Sequence, residues 1–509
     1  MSGSASGIDA TGPGDLSTLA RGGRTNFFGF LLRLAARLPF LFIAGRWYGA
    51  DALGRFAYAT IIVEFAAQLA TLGLKRGLAQ QLAANDRNHV WIVWDGLLVS
   101  CICSIVAAAV LITFPWLMFP NSPINGMDRL LPLTIFGWAL SDIALSALAY
   151  RGDIGATVKA RSLIEPWTIS IAAFGFAFYS TRDGLILAYV LSAIAAFLAS
   201  LWPCIKSYGW PHGWAPRPGP LFTVARRYLP LAGADAIEWG SRRLDIAILG
   251  LFFTPSIVGI YYVAQQVASL PQKLKTSFDP ILGPVITQNL AAGNKQAIAR
   301  QVRQVGFWII AAQIAIALSL SIPGKAVMGL VGHTFVGGTG ALAVLLIAEA
   351  IAATAVVSEA GLIYVAKMRN LAISIAMILV QAALSIASVH AIRWLHPVDD
   401  PTDDPIAAAG PAIALMVALG FASIAKSRLL SRILGAPVSG WRWSLLWASA
   451  GAGVVGWLFT RLPHRLEWAE LVVGVPLILA TYGTLIWYFG FGEEDRELFR
   501  LKPTKAPAA

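Results

Sequence analysis

The chain has 509 residues, 57% of them hydrophobic and 13% charged, with a mean hydropathy of +0.67 and a formal net charge of +12. A soluble domain carries about a quarter charged residues, so this composition excludes an ordinary water-soluble fold. Recurring apolar runs of about 20 residues can each cross a bilayer as a helix, which excludes the alternating ten-residue pattern of an outer-membrane barrel.

In chain order, residues 1–26 are polar and Gly/Ser-rich, without the pattern of a cleavable signal, and Phe27 opens a full-length apolar run. The apolar pattern predicts an all-α polytopic membrane protein with 14 spans. They fall at 27–47, 53–74, 91–119, 131–150, 161–180, 184–205, 229–251, 256–276, 304–323, 341–365, 370–393, 406–425, 441–460 and 469–490. Pro39, Pro115, Pro132, Pro230 and Pro284 mark expected kinks. With the N-terminus in the cytoplasm, 27 of the 39 Lys and Arg fall on the inner side and 8 on the outer. That bias predicts both termini in the cytoplasm. The positive charge thus belongs to short loops facing an anionic leaflet, not to a nucleic-acid surface.

The chain also repeats itself. The stretch from Gly45, GRWYGADALGRFAYA, aligns with GLFFTPSIVGIYYVA from Gly250 at an offset of 205, pairing Gly45 with Gly250, Gly54 with Gly259 and Ala59 with Ala264. LAANDR from Leu82 matches LAAGNK from Leu290 after a three-residue insertion. Six spans separate the copies, so both have the same orientation, as in parallel repeats. The expected organisation is a cytoplasmic tail (1–26), a six-helix lobe (27–205), a cytoplasmic linker (206–228), a second six-helix lobe (229–430), an appended pair of spans (431–490) and a cytoplasmic tail (491–509).

Charge within a span is costly and therefore informative. Span 1 carries Arg33 and Arg37 on one helical face, and span 7 carries Arg242 and Arg243; the repeat offset maps Arg37 onto Arg242. Arg37 lies about 16 Å into its span at about 1.5 Å per residue, too deep for easy snorkelling. In span 7, Asp235, Glu238, Arg242 and Asp245 step by three, four and three, which predicts one charged face on a continuous helix. Glu64, Asp142, Glu349 and Glu359 stand alone in their spans, and Asp95 and Glu165 lie near cytoplasmic ends. Two readings remain: a hydrated cavity in which arginines hold an anion and acids carry a coupling proton, or charges that pair with one another and set helix register.

Gly324-Lys325 lacks the rest of a phosphate-binding loop, and no HExxH, CxxC or nucleophile-elbow pattern occurs. The expectation is a transporter without cofactor, metal or enzymatic activity. Cys101, Cys103 and Cys204 read as buried free thiols. The acidic outer stretch of His396, Asp399, Asp400, Asp403 and Asp404 reads as a solvated loop, and the basic inner loops read as topology signals.

Gly45 to Ala84, with Gly, eight residues and Gly-Arg-Phe, then an apolar helix, Leu-Gly-Leu and a basic loop, resembles polysaccharide-biosynthesis flippases, as does Ser269-Leu-Pro followed by Phe278-Asp-Pro-Ile-Leu-Gly-Pro. These belong to the O-antigen flippase branch of the multidrug/oligosaccharidyl-lipid/polysaccharide exporter superfamily. The resemblance covers the whole chain in helix count and repeat plan, and its local motifs are loose. It implies two lobes in a V that alternate between inward-open and outward-open states in a bacterial inner membrane. The implied substrate is a polyprenyl-diphosphate-linked oligosaccharide, moved from the cytoplasmic to the periplasmic leaflet. Arg33, Arg37, Arg242 and Arg243 match the cationic positions expected to meet the diphosphate, and the appended spans would form a groove for the lipid tail. Implied partners are membrane lipids and, transiently, a polysaccharide polymerase, with the chain itself a monomer. One departure is that span 7 sets three acids beside its arginines. A cation-coupled drug exporter using those acids and a lipid II-type flippase are the rival transport readings. A membrane polymerase or ligase is disfavoured by the short outer loops and the repeat.

Overall fold

The computed structural model describes residues 38–84, 87–270, 289–290, 292–395, 400–461 and 467–496, together with 286 and 397. Among them there are helices and no strands. Among the described residues, nine stretches are long and apolar enough to cross a membrane: Leu38–Ala83, His89–Thr113, Met127–Tyr150, Gly184–Tyr208, Lys295–Ser321, His333–Val365, Lys367–Leu395, Ala407–Leu434 and Glu470–Phe489. The first contains the expected span 53–74 and residues 38–47 of the expected span 27–47, whose residues 27–37 lie outside the described residues. The other expected spans hold shorter or more polar helices, among them Trp443–Phe459, Pro218–Ser241 with Leu244–Phe252, and Pro255–Ala268. The protein is therefore a multi-pass helical membrane protein.

Local sequence explains where helices stop. Gly49 takes φ +82°, a left-handed value that favours glycine, and there the first span turns into the Gly49–Ala70 helix. That helix ends in a tight turn in which Leu72 and Gly73 both have positive φ, at 47° and 68°. The following basic segment, expected as a loop, forms the helix Leu74–Ala84. Leu74, Leu78 and Leu82 recur every four residues and are fully buried on its inner face.

Span 7 departs from expectation in shape. The Pro218–Ser241 helix continues through Pro230 and stops at Arg242 and Arg243, and a separate helix starts at Leu244. The Arg242 and Arg243 amides donate to Trp239 and Gly240, three residues back, so the last turn tightens before the chain reorients. The predicted single charged face over Asp235, Glu238, Arg242 and Asp245 is corrected by this break: helical spacing has no meaning across it, and Asp245 belongs to the next helix.

The two lobes pack along the Gly49–Ala70 helix, which lies against Pro255–Ala268 at one end and Pro218–Ser241 at the other. The appended helices Trp443–Phe459 and Val475–Phe489 pack on each other and on Lys295–Ser321. Their outer faces carry exposed Trp443, Trp447, Val454, Leu458, Tyr488 and Phe489, as a lipid-facing surface requires. Below them Asp495, almost fully buried, accepts from Trp308 Nε1 at 3.0 Å, Arg442 Nη1 at 2.6 Å, the Gly492 amide at 2.8 Å and the side-chain amide of Gln304. This carboxylate ties the end of the pair to the second lobe. Cys101, Cys103 and Cys204 are free thiols; Cys204 is buried and the other two are partly so.

Candidate functional site

One end of the seam between lobes, the outer end in the orientation expected from the Lys and Arg bias, is built from the two copies of the repeat. A Cβ on Gly54 would overlap the Pro255 carbonyl, and a Cβ on Gly259 would overlap the Ala50 carbonyl. The offset of 205 maps Ala50 onto Pro255 and Gly54 onto Gly259, so the contact is reciprocal, like an isologous dimer interface within one chain. Only glycine lets two helix backbones approach this closely. Two equivalent outer loops reinforce the crossing. Asn121, between the third and fourth spans, donates to the Gly250 and Phe253 carbonyls at 2.9 and 3.1 Å. In the second lobe, the Leu330 carbonyl accepts from Arg46 Nη2 at 2.9 Å, and Val331 fills the space beside Gly45. Each loop thus reaches across to the opposite copy of the same glycine.

Behind this seal Arg55 is buried. It pairs with Asp128, lies 4.0 Å from Asp183, and stacks its guanidinium 4.4 Å from the Phe119 ring. The fold makes Arg55, at the start of the expected span 53–74, the centre of a polar cluster.

The opposite end of the seam, inner in the same expected orientation, is polar. Gly73 lies against the Leu231–Ala232 backbone and Gly77 against the Tyr228 ring. Asp235, 2% exposed, lies 2.9 Å from Arg76 Nε and 3.8 Å from Lys75 Nζ across the seam. Lys75 also donates to Gln68. Midway, Phe65 and Trp239 bring their rings to 5.5 Å.

A third charged group sits inside the first lobe. Tyr189 donates to Glu64 at 3.1 Å, while Arg161 pairs with Asp142 and, at 3.4 Å, with Glu165. The Arg161 guanidinium lies 4.2 Å from the Trp138 ring, which stacks on Tyr189 at 5.8 Å. Four helices contribute; two carboxylates, Asp142 and Glu165, face the guanidinium, and Glu64 joins the group through Tyr189. Arg161, the first residue of the expected span 161–180, lies in a π-helical turn over Lys159–Ile164.

Of the remaining sequence-derived residues, Asp245 is 1% exposed and accepts from Tyr261 at 2.9 Å and from Gln265 at 3.0 and 3.1 Å. Glu349 is buried in Thr339–Val365, and Glu359 in the same helix pairs with Lys426 at 3.0 Å. Arg242 is exposed and Arg243 half-buried at the break in span 7. The Glu238 side chain, Arg33 and Arg37 lie outside the described residues. The structure therefore gathers Glu64 with Asp142, and sets Asp235 apart from Asp245. Sequence reasoning missed Lys75, Arg76 and Tyr189, and passed over Glu165 although its spacing from Arg161 was legible. Nothing in the sequence announced that Lys75 and Arg76 meet Asp235. Among the described residues, no group of three or more His, Cys, Asp or Glu is arranged to hold a metal ion.

A family model described as polysaccharide biosynthesis protein matches residues 45–321, just over half of the chain. No curated protein matches the chain. Among solved structures, the chain is similar to the lipid II flippase MurJ in an inward closed conformation, at 10% identity and TM-score 0.72, over 92% of this chain and 99% of that one. It is similar to an inward-facing multidrug resistance MATE family transporter of the MOP superfamily at 12% identity and TM-score 0.60, over 80% and 98%. A MOP superfamily transporter from Pyrococcus furiosus, described as having a binding pocket of reversed polarity, matches at 13% identity and TM-score 0.54, over 83% and 95%. At these identities the likeness is one of fold: helical lobes arranged as in the flippases and transporters of that superfamily.

Proposed function

The chain belongs to the polysaccharide biosynthesis protein family, and from that premise we propose that it flips a polyprenyl-diphosphate-linked oligosaccharide from the cytoplasmic to the periplasmic leaflet of a bacterial inner membrane. Both termini are cytoplasmic in this reading, and the chain works as a monomer that meets a polysaccharide polymerase transiently. The observation that carries it is the seam. Its outer end is sealed by the reciprocal Gly54–Gly259 crossing, whereas its inner end is held by a turn, a ring contact and the pairing of Asp235 with Lys75 and Arg76. Two halves joined about such a pseudo-two-fold contact can rock, exposing the space between them to one side and then the other.

In this mechanism Arg33, Arg37, Arg242 and Arg243 hold the diphosphate, because guanidinium forks match phosphate oxygens and stay charged at any working pH. Glu64, Asp142, Asp235, Glu238, Asp245 and Glu349 supply the balancing negative charge and the coupling proton. Arg242 and Arg243 stand where span 7 breaks, so a ligand held there touches the point about which the two parts of the span reorient. The lipid tail stays in the bilayer, and a groove of about 410 Å³ lined by Ser444, Trp447, Ala448, Leu485 and Phe489 lies on the appended pair, where an acyl-type chain can rest. An inside-negative potential favours outward movement of each anionic charge by about 2.3 kcal/mol per 100 mV.

The test is charge reversal. Arg242→Glu or Arg37→Glu, at unchanged protein level, is expected to abolish surface polysaccharide in a strain that depends on this chain. Normal polysaccharide would remove the arginines from the mechanism. A lipid II-type flippase offers the same diphosphate chemistry and is separated by the phenotype of depletion, which would then be lysis rather than loss of surface glycan. Resistance to cationic drugs on expression would favour the exporter reading instead.

A further inference from the structure

The inner end of the seam has a chemistry of its own. Asp235 sits on the second lobe with its carboxylate fully removed from solvent, and Lys75 and Arg76, which pair with it, belong to the first lobe. Arg76 is half exposed at its side chain and Lys75 a quarter, so the cations reach water while the acid does not. Gln68 holds the Lys75 ammonium, and the Lys75 carbonyl accepts from Ser146 at 2.8 Å, so the basic pair is anchored to the first lobe whichever way the second lobe moves. The Leu72–Gly73 turn fixes where the pair points. Parting the lobes at this end takes the Asp235 carboxylate away from Lys75 and Arg76. Losing that pairing is unfavourable, so the closed state is favoured until another anion takes the place of Asp235. A ligand shifts such an equilibrium only by its differential affinity for the two states. A diphosphate has it here, because its oxygens can take the face of Lys75 and Arg76 that Asp235 holds only once Asp235 has left.

We propose that Lys75 and Arg76 form an inner docking site for the diphosphate of a lipid-linked substrate, and that Asp235 occupies it in the closed state as an internal substitute for that group. The site rests on the transport reading above and adds a first contact ahead of the arginines deeper in the cavity. It also explains why an acid lies on the span expected to be cationic. Asp235 answers the basic pair of the opposite lobe and does not neutralise Arg242, from which the structure separates it by nearly two helical turns.

The test uses the full chain in zwitterionic nanodiscs, with Cys101, Cys103 and Cys204 replaced by alanine and spin labels on Gln80→Cys and Thr223→Cys, exposed positions on either side of the seam. Polyprenyl diphosphate is expected to lengthen the inter-label distance in the otherwise native chain, and phosphatidylglycerol at equal charge is not. Asp235→Asn should give the long distance without ligand. Lys75→Gln/Arg76→Gln should give it too and then ignore the diphosphate, while Arg76→Lys should keep a response; a monodisperse elution profile shows that each variant is folded. A distance unmoved by diphosphate in the native chain, or moved equally by phosphatidylglycerol, overturns the proposal. So does headgroup translocation at the native rate by Lys75→Gln/Arg76→Gln, which leaves the transport reading standing. Absence of translocation by the native chain sinks that reading itself.

Discussion

Gly54 and Gly259, equivalent residues of the two repeat copies, lie against each other so closely that a methyl group on either would overlap the backbone of the facing helix. The duplicated sequence thus packs on itself, and the seam between lobes inherits the symmetry of the repeat.

Overpacking this crossing is expected to force the lobes apart. Gly54→Val and Gly259→Val should each cost about 1–3 kcal/mol of the sealed state, and by pseudo-symmetry the two costs should be alike. Because both act on one contact, the double variant should cost less than the two single effects together. Thermal unfolding in detergent and a transport assay measure this; full additivity would show two independent sites rather than one seam.

Asn121 is expected to act as an outer latch. Asn121→Ala removes the donor from the Gly250 and Phe253 carbonyls, and each carbonyl left unsatisfied costs about 1–3 kcal/mol. Hydrogen exchange read by mass spectrometry should show faster exchange in the peptide around Phe253, with the Trp443–Phe459 helix unchanged. Identical exchange in both chains would mean that the glycine crossing seals the outer end alone.

The charged cluster of the first lobe predicts an asymmetric response. Arg161→Met leaves Asp142 and Glu165 without their guanidinium; all three side chains are partly buried, so the loss should fall below the ~3–5 kcal/mol of breaking a fully buried pair. Adding Asp142→Asn and Glu165→Gln to Arg161→Met should recover much of the loss, since the uncompensated charges go with it. Melting temperatures of the single and triple variants decide, and a triple variant as unstable as the single one would show that Arg161 acts through packing on Trp138.

Asp495 is expected to hold the appended pair in place. Asp495→Ala removes the acceptor shared by Gln304, Trp308 and Arg442, whose bonds to a charged group are worth about 1.5–3 kcal/mol each in isolation and are not additive. Limited proteolysis should then release the C-terminal helices from an otherwise intact chain. Resistance equal to the native chain would assign the docking of that pair to apolar contact alone.

Much of this was written in the local sequence. Apolar run length determined that the chain crosses a membrane as helices, because lipid leaves the backbone no other way to satisfy its hydrogen bonds. The offset of 205 and its matched glycines determined the parallel repeat, since those glycines stand at equivalent ends of equivalent spans. Tertiary structure alone decided which charges meet. Asp235 and Asp245 share a stripe on paper, yet the helix breaks at Arg242 and Arg243 and turns one toward the opposite lobe and the other toward Tyr261. Lys75, Arg76 and Arg161 have the composition of solvated loops, and only packing brings them to buried carboxylates. Helical periodicity reports which residues share a face of one helix. A partner on another helix depends on how the bundle closes, and that is a property of the whole chain.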